Sequence, residues 1–179
     1  LLVAVQNDEL TLLQEVITRA NLAASFYEIE IFSTIRSVVD EPVKPVMVLD
    51  IGASATKAYV VEHGVVALSH NIPQGGQDVT RTIAGSHGFS IEKAESLKKE
   101  HGFAVPEHDG YDRNAIEYVF SRIFDEARRV LTQYETSRRE AISAVILTGG
   151  GRVTKELVGY AKTFFSAEVH LADPFGKTE

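Results

Sequence analysis

Apolar residues recur every three or four positions in several stretches of the chain, the spacing that is typical of amphipathic helices. The longest helix is predicted to follow Asp112, and its apolar stripe consists of Ile116, Val119, Phe120, Ile123, Phe124, Ala127, Val130, Leu131 and Tyr134. A shorter helix is predicted after the Gly75-Gly76 pair. Another is predicted to start after Ser90 and to end at Gly102, because serine caps helix N-termini and glycine commonly ends helices.

Short apolar runs bounded by turn residues predict the strands of a sheet. These runs lie at residues 46–49, 56–61, 65–69, 142–147 and 168–171. The second and third are predicted to form a hairpin around Glu62-His63-Gly64. The alternation of strands and helices predicts an α/β domain in which a mainly helical segment, residues 77–139, is inserted.

The first residues of the chain have a pattern of their own. Leu1–Val5 is predicted to be a buried strand, and a helix capped by Asn7 or Asp8 is predicted to follow it and to end at Asn21. A short strand is predicted at residues 25–29. Because an apolar strand opens the chain without an initiator methionine, we expect the chain to be a fragment of a longer polypeptide.

A domain boundary is predicted near residue 44. A short helix is expected before it, with a buried side formed by Phe32, Ile35, Val38 and Val39. Asp40-Glu41-Pro42 and Pro45 then break the helical pattern, as linkers do. The sequence therefore predicts two parts, residues 1–44 and residues 45–179.

The composition is that of a globular protein with an acidic surface. The formal net charge is −7, from 18 basic and 25 acidic residues, which argues against a nucleic-acid partner because such a partner requires a concentrated positive face. No apolar run reaches the roughly 20 residues of a membrane-spanning helix, so no direct membrane insertion is expected. The absence of cysteine excludes disulfides and cysteine-ligated metals, and the histidines are not spaced as metal ligands.

Two predicted strands end in turns that are rich in small residues. The first turn is Asp50-Ile51-Gly52-Ala53-Ser54-Ala55-Thr56, and the second is Thr148-Gly149-Gly150-Gly151. Small residues let the backbone approach a ligand closely, and consecutive amides can converge on an oxyanion. The hydroxyls of Ser54 and Thr56 would add donors, and Asp50 is suited to hold a hydrated Mg²⁺.

Either turn alone has a simpler interpretation, as a tight turn or as close packing of a helix on a strand. The two together, with a helical insert between them, are more specific. Neither is a Walker loop, which ends in Gly-Lys-Ser/Thr, or a Rossmann G-x-G-x-x-G motif. The glycine turn is also predicted to open a helix from Val153, whose N-terminus would face the same ligand.

Five segments together resemble the motif set of a known family. They are Asp50–Thr56, Gly75–Thr80, Ala94–Lys98 with Gly102 after it, Leu147–Gly151 and Asp173-Pro174-Phe175. In this order they resemble the actin-like ATPase superfamily and, within it, the PilM family of type IV pilus assembly proteins, which is related to the FtsA cell-division proteins. The resemblance implies a ribonuclease H-like fold in which residues 1–44 end a first actin-like domain and residues 45–179 form a second, nucleotide-binding domain.

The resemblance also implies ATP and Mg²⁺ as ligands and assigns their contacts. The phosphates would be held by backbone amides of Gly52, Ala53, Ser54, Ala55 and Thr56, and Mg²⁺ by Asp50. The adenosine would be enclosed by Gly149, Gly150, Gly151, Glu95 and Lys98. From the residues alone, Glu95 and Lys98 would be an ordinary surface ion pair, since residues three apart on a helix are neighbours. No residue is expected to be catalytic.

The function that the resemblance implies is that of a nucleotide-binding scaffold. A member of the pilus family would lie in the cytoplasm, peripheral to the inner membrane, bind a short cytoplasmic tail of an inner-membrane pilus assembly protein, and be able to form homo-oligomers. FtsA-type motifs read Asp-x-Gly-Gly-Gly-Thr-Thr-Asp, whereas Lys57 stands here in place of the last aspartate, which implies weak or no ATPase activity. The alternatives are an FtsA-like cell-division protein, a sugar or acetate kinase of the same superfold, and an adaptor that has lost its nucleotide.

Overall fold

The computed structural model describes residues 6–39, 44–104, 111–173 and 175–176 and contains a five-stranded mixed sheet. Its strands are β1 (Val46–Ile51), β2 (Thr56–Glu62), β3 (Val65–Ile72), β4 (Ala144–Thr148) and β5 (Glu168–Leu171). Their order across the sheet is β3-β2-β1-β4-β5. β1, β2 and β3 pair antiparallel, whereas β4 pairs parallel with both β1 and β5. All five strands predicted between residues 46 and 171 are confirmed.

The predicted hairpin joins β2 to β3 through a two-residue turn. His63 and Gly64 both have positive φ angles, 51° and 74°. This conformation matches the right-handed twist of the flanking strands. Gly64 adopts a positive φ angle without steric cost. The turn lies at the residues where the sequence predicts it.

The described residues contain six α-helices. They are α1 (Asn7–Arg19), α2 (Glu30–Val38), α3 (Gly76–His87), α4 (Ile91–His101), α5 (Arg113–Arg138) and α6 (Leu157–Ala161). Ser90 caps α4 as predicted, and Asp112 caps α5, which follows it as predicted, because each side chain accepts a hydrogen bond from a backbone amide of the first helical turn. No helix within the described ranges is both long and apolar enough to cross a membrane.

The apolar stripe of α5 anchors the hydrophobic core. All nine predicted stripe residues are buried, and Phe124 in the middle of the helix is fully inaccessible to solvent. The helix packs against β2 and β3, and its residues share one cluster with Leu49 and Leu147 of the central strands. The helices between β3 and β4 thus share a continuous core with the sheet.

The described residues form two compact units, Leu1–Ser33 and Thr34–Glu179. In the first, α1 follows the predicted course and ends before Asn21, which has a positive φ of 53°. The expected cap is wrong, because Gln6 precedes the helix and no side chain caps it. The predicted strand at residues 25–29 is also wrong. These residues are irregular, and a strand forms only where a neighbour accepts and donates its backbone hydrogen bonds.

In the second unit, the structure differs from the predicted helix after the glycine turn. A short 3-10 helix covers Gly150–Val153, and α6 starts only at Leu157. The backbone of Glu156 lies in the left-handed region, with φ 59°, and so interrupts the helical path. An α-helix from Val153 is therefore a wrong prediction.

The predicted strand Leu1–Val5, the predicted break at residues 40–43 and residues 105–110 lie outside the described residues. The predicted division at residue 44 remains a prediction.

Candidate functional site

The two turns meet because β1 and β4 are neighbouring parallel strands. In the register of this pair, Asp50 lies opposite Thr148, so both strands end at the same level of the sheet. The glycine turn packs directly on the end of β1. A Cβ at Gly149 would lie 2.3 Å from Oδ1 of Asp50, and one at Gly151 would lie 2.2 Å from Cγ2 of Ile51. Only glycine fits at these two positions, as expected for a close approach of two backbones.

A cavity of about 910 Å³ opens beside the two turns. Its walls come from the first turn, from the glycine turn and from α3 and α4. The described residues that line it include Gly52, Ala53, Gly76, Gln77, Val79, Thr80, Arg81, Ile91, Glu92, Glu95, Lys98, Lys99, Phe120, Gly150, Gly151, Val153 and Thr154. This volume is in the range of about 300–1,000 Å³ that is usual for small-molecule and cofactor sites.

Six of the eleven predicted site residues line this cavity. They are Gly52, Ala53, Glu95, Lys98, Gly150 and Gly151. The other five lie in the same two turns without forming part of the wall, and they are Asp50, Ser54, Ala55, Thr56 and Gly149. The turns and helix α4 are thus brought together by the fold, as the motif order predicts.

Part of the first turn is already engaged in internal hydrogen bonds. The Gly52 amide donates to the carbonyl of Ala55 at 3.0 Å, and the Thr56 hydroxyl, which is fully buried, donates to the carbonyl of Gln74 at 2.8 Å. In the described part of the chain, no hydrogen bond is donated by the amides of residues 53–55. Within the first turn, these three amides are therefore available to donate hydrogen bonds to a bound anion.

The first turn is also fastened to the start of α3. The amide of Gly76 donates to the Gly52 carbonyl at 3.0 Å, and that of Gln77 donates to the Ala53 carbonyl at 2.8 Å. A Cβ at Gly75 would lie 2.6 Å from both of these carbonyl oxygens. Gly75 is therefore required for this close contact, whereas a Cβ at Gly76 would make only an ordinary contact, 3.6 Å from Nζ of Lys98.

Glu95 and Lys98 form a polar cluster with Thr80 in the cavity wall. The Lys98 ammonium donates to Oε2 of Glu95 at 2.6 Å, to Oγ1 of Thr80 at 2.9 Å and to the carbonyl of Gly76 at 3.0 Å. Each of its three protons therefore has an acceptor. The Lys98 side chain is only 13% exposed, so the pair is not the ordinary surface ion pair that its helical spacing alone would suggest.

Glu95 carries a stabilised negative charge at this point. Its partial burial opposes ionisation, but the hydrogen bonds from Lys98 and Thr80 and the charge of Lys98 outweigh burial and lower the pKa of Glu95 to about 2. Its second oxygen, Oε1, lies 3.3 Å from Nζ of Lys99. The cavity wall thus presents a carboxylate that remains ionised at neutral pH.

Several wall residues were not identified from the sequence as site residues. Thr80 lies in the Gly75–Thr80 segment that resembles the family. Its position four residues after Gly76, which places both residues on one face of α3, is the one feature of the sequence that indicates a place in the cavity wall. Ile91 and Phe120 lie far apart in the chain and meet here only through tertiary packing. Among the described residues, no cluster of three or more histidine, cysteine or acidic side chains could hold a metal ion.

Comparison with protein-family models gives a match over the whole chain. A family model described as type IV pilus assembly protein PilM matches residues 1–179. The chain is 27% identical over 125 residues to the ethanolamine utilization protein EutJ of Escherichia coli strain K12, covering 69% of this chain and 40% of that protein. It is 26% identical over 149 residues to the cell division protein FtsA of Enterococcus faecalis strain ATCC 700802 / V583, and this match covers 72% of this chain and 33% of that protein. The chain thus spans less than half of the length of these relatives.

Solved structures have the same fold. The PilM-PilN type IV pilus biogenesis complex matches with a TM-score of 0.77 and 22% identity, over 93% of this chain and 48% of that one. MreB5 of Spiroplasma citri bound to ADP matches with a TM-score of 0.68 and 19% identity, over 96% of this chain and 62% of that one. These likenesses identify the fold as that of the actin-like ATPases.

Proposed function

Because the chain belongs to the family of type IV pilus assembly proteins PilM, we propose that it binds ATP in the cavity beside the two turns and serves as an actin-like scaffold of the pilus assembly machinery. The observation that carries this proposal is that Gly52 and Gly150, which lie in the turns after two neighbouring strands, line the same cavity. Bound ligands of α/β sheets commonly lie at the carboxyl ends of strands.

The first turn is suited to phosphate. The amides of Ala53, Ser54 and Ala55 make no hydrogen bond within the described residues, and amides that follow one another in a turn can share an anion. Beside Gly150 no atom of the other described residues, its two chain neighbours apart, lies within 4 Å of the position that a Cβ would take, so a ligand can approach this backbone closely. The site residues therefore fit a triphosphate.

Asp50 is the residue that would position Mg²⁺. Its carboxylate is half-buried at the end of β1 and in contact with the glycine turn. Mg²⁺ is commonly held by one or two carboxylates, with phosphate and water oxygens completing its coordination. One aspartate next to the phosphate turn is therefore sufficient for such a site.

The opposite part of the cavity suits an adenosine. Ile91 and Val153 provide exposed apolar surface for a base, while Glu95 offers an acceptor for ribose hydroxyls. Because the protons of Lys98 already have acceptors, we propose that this residue acts by holding Glu95 in place. This refines the sequence hypothesis, in which both side chains contact the nucleotide.

The proposed partners follow from the family. One of the matching solved structures is a complex of PilM with PilN. We propose that the present protein lies in the cytoplasm, peripheral to the inner membrane, that it binds a short cytoplasmic tail of an inner-membrane pilus assembly protein, and that it can form homo-oligomers. With Lys57 after the first turn, weak or no ATPase activity is expected. Nucleotide would then favour one conformation that partners recognise.

The proposal is tested by blocking the cavity from its open side. Gly150→Glu places a charged side chain in space that the other described residues leave open, so the fold is expected to persist. ATP affinity is expected to fall at least roughly tenfold, because the side chain fills the cavity and its charge repels the phosphates. Gly85→Glu is the matched control, because it adds the same charge on α3, also into open space and away from the cavity. Isothermal titration of the full-length protein with ATP measures both. Equal affinities in the two variants, or no binding by the wild type, would refute the proposal.

An FtsA-like cell-division scaffold is the second candidate, favoured by the 26% identity to FtsA. A pull-down with the cytoplasmic tail of the inner-membrane pilus protein, compared with one using a division-site partner, separates the two functions. Capture of the pilus tail alone supports the first candidate.

A further inference from the structure

The hydroxyl of Thr80 is the point at which α3 and α4 meet in the cavity wall. Thr80 is 3% exposed, and its Oγ1 lies 2.5 Å from Oε2 of Glu95 and 2.9 Å from Nζ of Lys98. A hydroxyl has a single proton and also accepts hydrogen bonds. It can therefore donate to the carboxylate and accept from the ammonium at the same time.

This cluster is connected to the first turn through the start of α3. The carbonyl of Gly76 accepts a hydrogen bond from Lys98 at 3.0 Å and lies 3.1 Å from Oγ1 of Thr80. The amide of the same Gly76 donates to the carbonyl of Gly52 at 3.0 Å. A continuous series of hydrogen bonds thus joins α4 to the turn at residues 52–56.

We propose that Thr80 is a positioning residue of this site, which holds the Glu95 carboxylate at a fixed place relative to the first turn. This inference rests on the proposed function, because it assigns the two ends of the series to the ribose side and the phosphate side of one nucleotide. Thr80 itself need not contact the ligand. Fixing both ends in advance lowers the ordering cost of binding.

Without the hydroxyl, Glu95 has another partner available. Oε1 already lies 3.3 Å from Nζ of Lys99, whose side chain is 67% exposed and points to solvent. Loss of Thr80 would leave the carboxylate held by two lysines of its own helix, and the connection of Glu95 to α3 would then depend on Lys98 alone. The wall would become less rigid while the charge of the cavity stays the same.

Three variants separate positioning from general packing. Thr80→Val keeps the shape of the side chain and removes the hydroxyl, whereas Thr80→Ser restores it. Thr82→Val is the matched control on the same helix, because the Thr82 hydroxyl donates to the carbonyl of Asp78 at 2.8 Å and does not line the cavity.

Titration of the full-length protein with ATP is the first measurement. Thr80→Val is expected to bind ATP about tenfold more weakly, since a hydrogen bond to a charged group is lost. Thr80→Ser is expected to recover wild-type affinity to within about twofold, and Thr82→Val to match the wild type. Wild-type affinity in Thr80→Val, equal losses in Thr80→Val and Thr82→Val, or no recovery by serine would each overturn the proposal.

The second measurement needs no nucleotide. In protein labelled with ¹³C at glutamate carboxyls, the Glu95 resonance is assigned with Glu95→Gln and titrated against pH. Its pKa is expected to rise in Thr80→Val and to stay low in Thr80→Ser and Thr82→Val, because only the first loses the donor. An unchanged titration in Thr80→Val overturns the positioning role even where the wild type binds ATP. A wild type that binds no ATP refutes the proposed function instead.

Discussion

Oδ1 of Asp50 and the backbone of Gly149 are so close that a Cβ on the glycine would lie 2.3 Å from that oxygen. Gly151 packs equally closely on Ile51, because a Cβ on this glycine would lie 2.2 Å from Cγ2 of the isoleucine. Gly150, between them, has open space on the corresponding side. The outer glycines therefore join the two strand ends, and the middle one leaves room for a ligand.

This difference predicts opposite effects of the same substitution at adjacent residues. Gly151→Ala is expected to lower the free energy of unfolding by about 1–3 kcal/mol, because its methyl group overlaps a packed isoleucine. Gly150→Ala, the matched control, is expected to change it by less than about 0.5 kcal/mol. Urea denaturation measures both. Similar destabilisation by the two variants would contradict this packing of the glycine turn on β1.

The elements that sequence reasoning predicted are those fixed by local patterns. The stripe of α5, the caps Ser90 and Asp112 and the hairpin turn at His63-Gly64 each depend on residues a few positions apart. The meeting of the two turns could also be predicted, because parallel strands end at one edge of a sheet. These features account for the correct prediction of the α/β fold.

The errors and omissions have a common physical reason, which is that tertiary contacts decide them. The strand expected at residues 25–29 needs a partner strand, and the helix expected from Val153 is interrupted by the left-handed Glu156. The hydrogen bond from Thr80 to Glu95 joins residues on two helices, and no spacing along one helix predicts it. The polar cluster in the wall became evident only in three dimensions.

The two neighbouring lysines of α4 are expected to differ in their contribution to stability. Lys98 is 13% exposed and has three acceptors, whereas Lys99 is 67% exposed. Lys98→Met is expected to cost about 1–3 kcal/mol of unfolding free energy, because Glu95 and Thr80 lose their charged partner. Lys99→Met serves as the control and is expected to cost less than about 0.5 kcal/mol. Thermal and urea unfolding check the prediction, which fails if both variants cost the same.

The depressed pKa of Glu95 predicts a specific dependence of stability on pH. Its pKa is lowered from the ordinary value of 4.5 to about 2 in the folded protein, so its stabilising contribution is complete above pH 4.5 and is lost as the pH falls towards 2. The carboxylate is about one third exposed, and solvent screening limits the effect to about 1 kcal/mol. The measurement is the difference in unfolding free energy between wild type and Glu95→Gln across this range. A difference that does not change between pH 5 and pH 2 would contradict the assignment.

Asp50 is expected to act on nucleotide binding through Mg²⁺ and not through the phosphates directly. Asp50→Asn keeps the shape of the side chain beside Gly149 but removes the charge that a divalent cation needs. With Mg²⁺ present, ATP affinity is expected to fall roughly tenfold, as is usual when a metal site is weakened. In EDTA the same variant is expected to bind ATP as well as the wild type or better, because a negative charge close to the triphosphate has been removed.

The opposite signs in the two conditions distinguish a metal-positioning role from a structural one. A variant that merely disturbed the turn would bind ATP more weakly with and without Mg²⁺. Asp125→Asn is the matched control, since Asp125 pairs with Arg128 on the exposed side of α5 and does not line the cavity. It is expected to leave both affinities unchanged. If Asp50→Asn weakens binding equally in Mg²⁺ and in EDTA, Asp50 supports the turn and the cation is held by other groups.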